Sequence, residues 1–368
     1  MASTPLEPRV AAEMIACLQG ELCLGNPAAS HCYGKQASDK IEIARAQVAK
    51  LIHAAPREII FTSGATEANN IAIRGAAYAR GKEGRHIITS QIEHKAVLDV
   101  CQSLEKEGFI LTYLPVDREG RIDLELFIKS LRPDTTLVSL MHVNNEIGVI
   151  NDIQAIAGIT QPRKIWLHVD AAQSAGKIPI DLSQTPVDLM SFSAHKVYGP
   201  KGVGALYVRL RPRVRLTPIL WGGGQEQGLR PGTLATHQIV GMGEAFNVAN
   251  ELMMEEGKRI ASLRKKFWNG VSDLPDLKLN GDSHQRVNHN LNICFAGLSH
   301  KEITEKLQAL AISKGSACNT FSPDRSHVLR AIGLSSEEID CTRRFSIGRF
   351  TTEQEIDFAI LCIREMYQ

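Results

Sequence analysis

The sequence lacks the features that mark several large classes of protein. Its 368 residues hold 42 Lys and Arg against 40 Asp and Glu, so the basic excess typical of nucleic-acid-binding proteins is missing. Eight cysteines are too few for a disulfide scaffold. No stretch approaches the roughly 18 consecutive apolar residues that a membrane helix requires. We therefore expect neither a direct nucleic-acid partner nor a membrane protein.

Motifs for metals and purine nucleotides are also missing. No two cysteines have C-x-x-C spacing and there is no H-E-x-x-H, so we expect no zinc site. A G-x-x-x-x-G-K-[ST] loop and a G-x-G-x-x-G after a strand are both absent. The first 30 residues hold one Arg and three Glu, unlike a secretory or mitochondrial leader. These absences predict a cytoplasmic protein with reduced thiols.

What the sequence does contain is an alternation of short apolar, β-branched runs with helical stretches. This pattern predicts βαβ units and an α/β fold with a mostly parallel sheet covered on both faces. The last two runs have no helix between them, so one of them is free to pair antiparallel. The seven runs lie at residues 58–62, 86–90, 110–114, 137–142, 165–169, 188–192 and 204–208.

The second part of the chain has a different pattern. Residues 211–235 are rich in Pro and Gly and predict irregular structure. A long helix is predicted at 238–269, followed by a mixture of strand and helix patterns. Because the length suggests two domains, we predict a large α/β domain at 1–250 and a small α+β domain at 251–368.

Polar residues gather where the predicted strands end. In open α/β sheets, ligands bind outside the carboxyl ends of the strands. Five strands would therefore bring their polar ends into a single crevice, which suits an anionic, polar, flat ligand. These ends are Ser63–Thr66, Glu93–His94, His142–Glu146, Asp170–Gln173 and Ser193–Lys196.

Each of these ends, taken alone, has an ordinary alternative. The turn at Ser63–Thr66 leads into a helix and suits a phosphate, but Ser and Thr are also common helix caps. Lys196 at a strand end suits a lysine that forms a Schiff base, or it is a surface lysine. Asp170 could pair with a cofactor's ring nitrogen or cap a helix. His94 could stack on a cofactor ring or act as an acid or base, or bond to the backbone at a helix start.

Two residues near the end of the chain suit substrate chemistry. Cys318 lies among small residues close to a lysine, a setting that suits an exposed, activated thiol. Arg344 could clamp a carboxylate with two parallel hydrogen bonds, although Arg343 and Arg349 are close enough in sequence to leave the choice among them open. The alternative for Arg344 is a surface salt bridge.

Taken together and in order, these motifs resemble the PLP-dependent cysteine desulfurases of the NifS/IscS type, within the class V aminotransferases. The resemblance covers nearly the whole chain. It rests on residues 62–70, 93–97, 141–148, 168–174, 191–196, 198–202, 230–233, 315–318 and 344–349.

The resemblance implies a PLP-dependent transferase of fold type I and a set of site residues. Lys196 would bind PLP covalently and move the substrate Cα proton, His94 would stack on the ring, and Cys318 would attack the substrate sulfur. Asn145 and Arg344 would bind the substrate carboxylate. The cofactor-binding residues would be Ala65, Thr66, His94, Asn145, Asp170, Gln173, Ser193, His195, Lys196 and, from the partner subunit of a homodimer, Thr233.

The resemblance also implies a reaction and partners. L-Cysteine would give L-alanine and a persulfide on Cys318, carried on a mobile loop of the small domain. The sulfur would pass to an iron–sulfur scaffold or a tRNA-thiolation carrier, with no resident metal beyond a transient iron–sulfur contact at Cys318. Two alternatives are a selenocysteine lyase or desulfurase of another sulfur pathway, and a non-catalytic accessory protein. The latter would follow from ends shorter than the family's, since only Ala2–Pro5 remains of the first motif.

Overall fold

The larger of two β-sheets forms the centre of the fold. The computed structural model describes residues 2–20, 23–313 and 325–368, and in them this sheet has seven strands. The strands are β1 (Ile59–Thr62), β2 (His86–Ser90), β3 (Ile110–Leu114), β4 (Thr135–Met141), β5 (Trp166–Asp170), β6 (Leu189–Ser193) and β7 (Gly204–Val208).

The strand order confirms the predicted α/β class. Across the sheet the order is β1-β7-β6-β5-β4-β2-β3. Strand β7 runs antiparallel to both of its neighbours, and every other neighbouring pair is parallel. The carboxyl ends of β1, β2, β4, β5 and β6 therefore lie at one edge of the sheet, where the sequence places its polar residues.

Helices cover both faces of this sheet and bury its apolar side chains. One core cluster includes Ile41, Val48 and Phe246, and the other includes Ile71 and Leu104. The helices are α1 (Pro8–Gln19), α2 (Cys32–Leu51), α3 (Ala65–Arg80), α4 (Lys95–Lys106), α5 (Leu124–Ser130), α6 (Ile153–Thr160), α7 (Thr236–Val271), α8 (His300–Lys306), α9 (His327–Ala331), α10 (Ser336–Asp340) and α11 (Glu353–Arg364). No helix in the described residues is long and apolar enough to cross a membrane.

A second, smaller sheet lies in the C-terminal part of the chain. Its antiparallel strands, in the order β10-β9-β8, are Thr342–Ser346, Asn290–Phe295 and Leu277–Leu279. Phe267 of α7 packs on Phe345 of this sheet, with ring centroids 5.1 Å apart. Helix α7 thus contacts both sheets. The predicted boundary at residue 250 falls inside this helix and stays a prediction.

One expectation about the cysteines is wrong. Cys17, in the last turns of α1, forms a disulfide with Cys23, whereas the sequence analysis predicted reduced thiols throughout. The two Cα atoms are 5.3 Å apart, a separation that a disulfide can bridge. Because the two cysteines are six positions apart, neither a C-x-x-C motif nor helix periodicity points to this pairing.

Candidate active site

A cavity of about 500 Å³ opens at the carboxyl ends of the parallel strands, a volume in the range of small-molecule sites. Loops after five strands contribute to it, as the sequence predicts. Ten of the predicted site residues line it, namely Ala65, Thr66, His94, Asn145, Asp170, Gln173, Ser193, His195, Lys196 and Arg344.

The amino end of helix α3 forms one wall of the cavity. The helix begins at Ala65 and its N-cap is Gly64, whose φ of +154° suits glycine better than any L residue. The backbone amide of Ser63 donates to the carboxylate of Glu67, which is also paired with Arg230 at 3.2 Å. The free amides and positive dipole of a helix end favour an anion such as a phosphate.

Lys196 also lines the cavity, in the short turn that follows β6. Its ammonium donates to the main-chain oxygen of Ala2. A second lysine, Lys177, donates to Oε1 of Gln173 at 3.3 Å, and burial together with the charge of Lys196 lowers the pKa of Lys177 to about 7. Positive charges close together favour loss of a proton from an amine, and a nucleophilic amine requires such a setting.

His195 is held neutral beside this lysine. Burial, and then the charges of Lys196, Lys201 and Lys177, lower the pKa of His195 to about 4. Its Nδ1 lies 3.2 Å from Oγ of Ser3. At neutral pH the ring can therefore donate or accept a hydrogen bond without carrying a charge.

Asp170 is the last residue of β5 and has both carboxylate oxygens engaged. Asn69 Nδ2 donates to Oδ2 at 2.8 Å, and the backbone amide of Ala172 donates to Oδ1 at 3.0 Å. In the described chain no helix lies between β5 and β6, so the helix-capping alternative is wrong, and the contact with Ala172 belongs to a turn. The residue is buried, yet it also lines the cavity, so it faces any ligand bound there.

His94 forms the helix-start contact and also lines the cavity. It is the N-cap of α4, and its Nδ1 accepts a hydrogen bond from the amide of Ala96 at 3.1 Å. The same ring lines the cavity. Because Nδ1 is an acceptor in this contact, the hydrogen bond fixes the orientation of a ring that faces the ligand space.

The structure separates the three neighbouring arginines. Arg344 lines the cavity, is 2% exposed, and donates from Nη1 to the main-chain oxygen of Asn145 at 2.8 Å. Arg343, one residue earlier on β10, points away and contacts His300 at 2.8 Å. Arg349 is paired with Glu7 at 2.8 Å. Only Arg344 of the three is placed to meet a ligand in the cavity.

Two predicted residues are not in the cavity lining. Thr233 lies on an exposed loop outside it, and Cys318 lies outside the described residues. Asn69 and Lys201 are among the lining residues that were not predicted as site residues. Asn69 follows Ala65 by four residues on α3, so helical spacing places it on the same face. That spacing was the signal that could have found it.

The side chains of the cavity fit PLP. Three groups that match parts of PLP surround one space. The amino end of α3 suits the phosphate, the carboxylate of Asp170 suits the ring nitrogen, and the amine of Lys196 suits the aldehyde. Asn145 Oδ1 is buried, and no described residue hydrogen-bonds to it, so this side of the cavity retains an acceptor for a ligand. Such an arrangement can hold PLP and an amino acid together.

Comparisons with known proteins agree with this site. The Aminotransferase class-V family model matches residues 1–358. The cysteine desulfurase IscS of Aeromonas hydrophila is 55% identical over 99% of this chain and 90% of its own length. A solved NifS-like protein is 36% identical with a TM-score of 0.92, covering 100% of this chain and 97% of its own. A structure titled SspA in complex with cysteine is 39% identical with a TM-score of 0.84, covering 95% and 98%. The chain belongs to the class-V aminotransferase family.

Proposed function

We propose that the chain is a PLP-dependent cysteine desulfurase that converts L-cysteine to L-alanine and passes on the sulfur. The observation that carries the proposal is the meeting of Lys196, Asp170 and Arg344 in one cavity. The amine of Lys196 matches an aldehyde, the carboxylate of Asp170 matches a pyridine nitrogen, and the guanidinium of Arg344 matches a substrate carboxylate. Curated relatives at 54–55% identity bear the name cysteine desulfurase, and one related structure holds cysteine.

Four groups of this chain would hold the cofactor. When bound, PLP supplies an electron sink for removal of the substrate Cα proton. Lys196 would bind it covalently and would carry that proton on its amine. Asp170 would keep the ring nitrogen protonated, His94 would contact the ring, and the amino end of α3 would bind the phosphate.

The substrate would lie between the cofactor and the second sheet. Arg344, with Asn145 beside it, binds the carboxylate of L-cysteine and so orients the Cα proton toward Lys196. The sulfur then passes to Cys318, a thiol that lies outside the described residues. A persulfide on cysteine is a reversible carrier state, which suits delivery to an iron–sulfur scaffold or a tRNA-thiolation carrier in the cytoplasm.

We infer that the active form is a homodimer in which Thr233 reaches the partner's phosphate site. The loop that carries Thr233 also exposes Trp221, which is 83% accessible to solvent. Large apolar side chains that stand out from a surface mark interaction sites. Sedimentation equilibrium should give twice the chain mass of 40.4 kDa, and Trp221→Ser should shift the equilibrium toward monomers. A monomeric wild-type chain with full activity would exclude this role for Thr233.

Two substitutions separate the steps of the proposed reaction. Lys196→Ala should abolish both the visible absorbance of bound PLP and alanine formation. Cys318→Ser should keep the absorbance but lose persulfide formation, measured by alkylation and mass spectrometry. Full sulfur release from Cys318→Ser would refute the assignment of the acceptor thiol, while leaving the role of Lys196 intact.

A further inference from the structure

Glu93, the residue before His94, is a fully buried acid that the proposed reaction does not use. Its exposed fraction is 0%, and it lies behind the cavity wall instead of lining it. Charged carboxylates are almost never buried completely unless they are paired. The surroundings of Glu93 therefore decide its protonation state.

The two carboxyl oxygens of Glu93 have different surroundings. Oε1 accepts hydrogen bonds from Oγ of Ser90 at 2.6 Å and from the amide of Met141 at 3.0 Å. Oε2 is buried, and no described residue hydrogen-bonds to it. This pattern suits a neutral carboxylic acid, in which Oε1 is the carbonyl oxygen and Oε2 carries the proton.

No cation among the described residues forms an ion pair with Glu93. Instead, Glu93 accepts a hydrogen bond from the amide of Met141, and Met141 pairs with Asp170 on the neighbouring strand. The thiol of Cys101 is close enough for a charge on Glu93 to raise its pKa, and the ring of His327 on α9 contacts the main-chain oxygen of Glu93 at 2.8 Å. A second buried negative charge here would be uncompensated, which costs far more than a buried neutral group.

We propose that Glu93 is a positioning residue that stays protonated, tying the end of β2 to β4 without placing a second negative charge beside Asp170. A neutral Glu93 then adds no second negative charge beside the carboxylate of Asp170. The role of Asp170 toward a ring nitrogen rests on the proposed function, whereas the protonation of Glu93 does not.

The electrostatics of the site support the geometry. Burial, with a smaller contribution from the charge of Asp170, raises the pKa of Glu93 to about 8, although the hydrogen bonds from Ser90 and Met141 oppose this rise. The folded chain thus keeps a proton that the unfolded chain releases near the ordinary pKa of glutamate. Between the pKa of glutamate in the unfolded chain and that of Glu93 in the folded chain, the contribution of Glu93 to the free energy of unfolding should therefore fall as the pH rises.

The first test compares the wild-type full chain with Glu93→Gln, a neutral side chain of the same shape. The wild-type unfolding constant, divided by that of Glu93→Gln, should rise roughly tenfold per pH unit between about pH 5 and pH 7.5. Glu125→Gln, whose side chain is 86% exposed, controls for the loss of one carboxylate. A ratio that stays constant or falls with pH would overturn the proposal.

The second test observes the proton directly and does not require any variant to be as stable as the wild type. Infrared spectra of the wild-type chain at neutral pH should contain a buried carboxylic-acid carbonyl band that Glu93→Gln lacks.

Removing the negative charge of Asp170 lowers the pKa of Glu93, so in Asp170→Asn the band should disappear at a lower pH than in the wild type. Absence of the band from the wild-type spectrum, or an unchanged titration in Asp170→Asn, would overturn the proposal. Both readouts are independent of turnover, so a failure of the proposed desulfurase activity would remain distinguishable from a failure here.

Discussion

Asn69 of α3 holds the carboxylate of Asp170 at the end of β5, with 2.8 Å between Nδ2 and Oδ2. The amide of Ala172 binds the other oxygen at 3.0 Å. Contacts from a helix and from the following turn therefore fix the plane of one carboxylate at the edge of the cavity. This arrangement prepares Asp170 to meet a ring nitrogen without a change in its position.

Replacing Asn69 should weaken cofactor binding. Hydrogen bonds to charged groups contribute about 1.5–3 kcal/mol, so Asn69→Ala should raise the dissociation constant of PLP roughly 10- to 100-fold. Asn70→Ala is the matched control, because Asn70 contacts only the main-chain oxygen of Thr66 on the exposed side of the same helix. Equal effects of the two substitutions would argue against a special role for Asn69. Fluorescence titration of the chain with PLP measures both constants.

Two neighbouring arginines should differ in their effect on substrate binding. Arg344→Lys keeps the positive charge but loses the planar fork that binds a carboxylate through two hydrogen bonds, so KM for L-cysteine should rise about tenfold or more. Arg343→Lys should leave KM unchanged, since Arg343 contacts His300 outside the cavity. Steady-state alanine formation gives both values. If KM rose for Arg343→Lys and not for Arg344→Lys, the assignment of Arg344 as the arginine that binds the substrate carboxylate would be wrong.

The buried ion pair between Arg45 and Glu226 should stabilise the fold. The two side chains meet at 2.8 Å, and Glu226 also accepts a hydrogen bond from the amide of Phe61 at 2.6 Å. Glu226→Gln leaves Arg45 buried without its main counter-charge, which should cost about 3–5 kcal/mol of unfolding free energy. Glu42 is a second acidic partner of Arg45 and is 59% exposed. Glu42→Gln should therefore cost about 1 kcal/mol or less of unfolding free energy. Urea unfolding compares the two, and similar losses would contradict this account.

His195 should remain neutral well below neutral pH. Its lowered pKa of about 4 means that the unfolded chain binds a proton before the folded chain does as the pH falls. The contribution of His195 to stability is therefore full above the ordinary histidine pKa and is lost between that value and about pH 4. Lys201→Met should raise the pKa of His195, because it removes one nearby positive charge. Burial is the largest cause of the shift and should still hold this pKa below the ordinary histidine value. An NMR titration of the imidazole that gave the ordinary pKa would contradict the expected environment.

The sequence predicts the sheet and the position of the site because both depend on local patterns. Short apolar runs such as Ile59–Thr62 mark buried strands, and polar residues that directly follow such runs must lie at their carboxyl ends. The roles of the arginines could not be predicted in the same way. Arg343 and Arg344 are adjacent on β10, so strand geometry sends their side chains to opposite faces, but the sequence does not show which face meets the cavity.

Contacts that follow no periodic pattern account for what the sequence analysis missed. Cys17 pairs with Cys23, and Lys177 contacts Gln173 in the turn after β5. Helix α8 begins at a capping box on Ser299, whereas its end at Lys306 carries no such signal. Such features follow from tertiary structure, which periodicity does not describe.

The most direct test of the proposed function is the absorbance spectrum of the purified chain before and after addition of L-cysteine, with alanine measured in the same sample. The account predicts a visible band from PLP bound to Lys196, a change in that band when L-cysteine is added, and alanine formed in step with persulfide. A chain that binds PLP at Lys196 but forms no alanine from L-cysteine would contradict the desulfurase assignment.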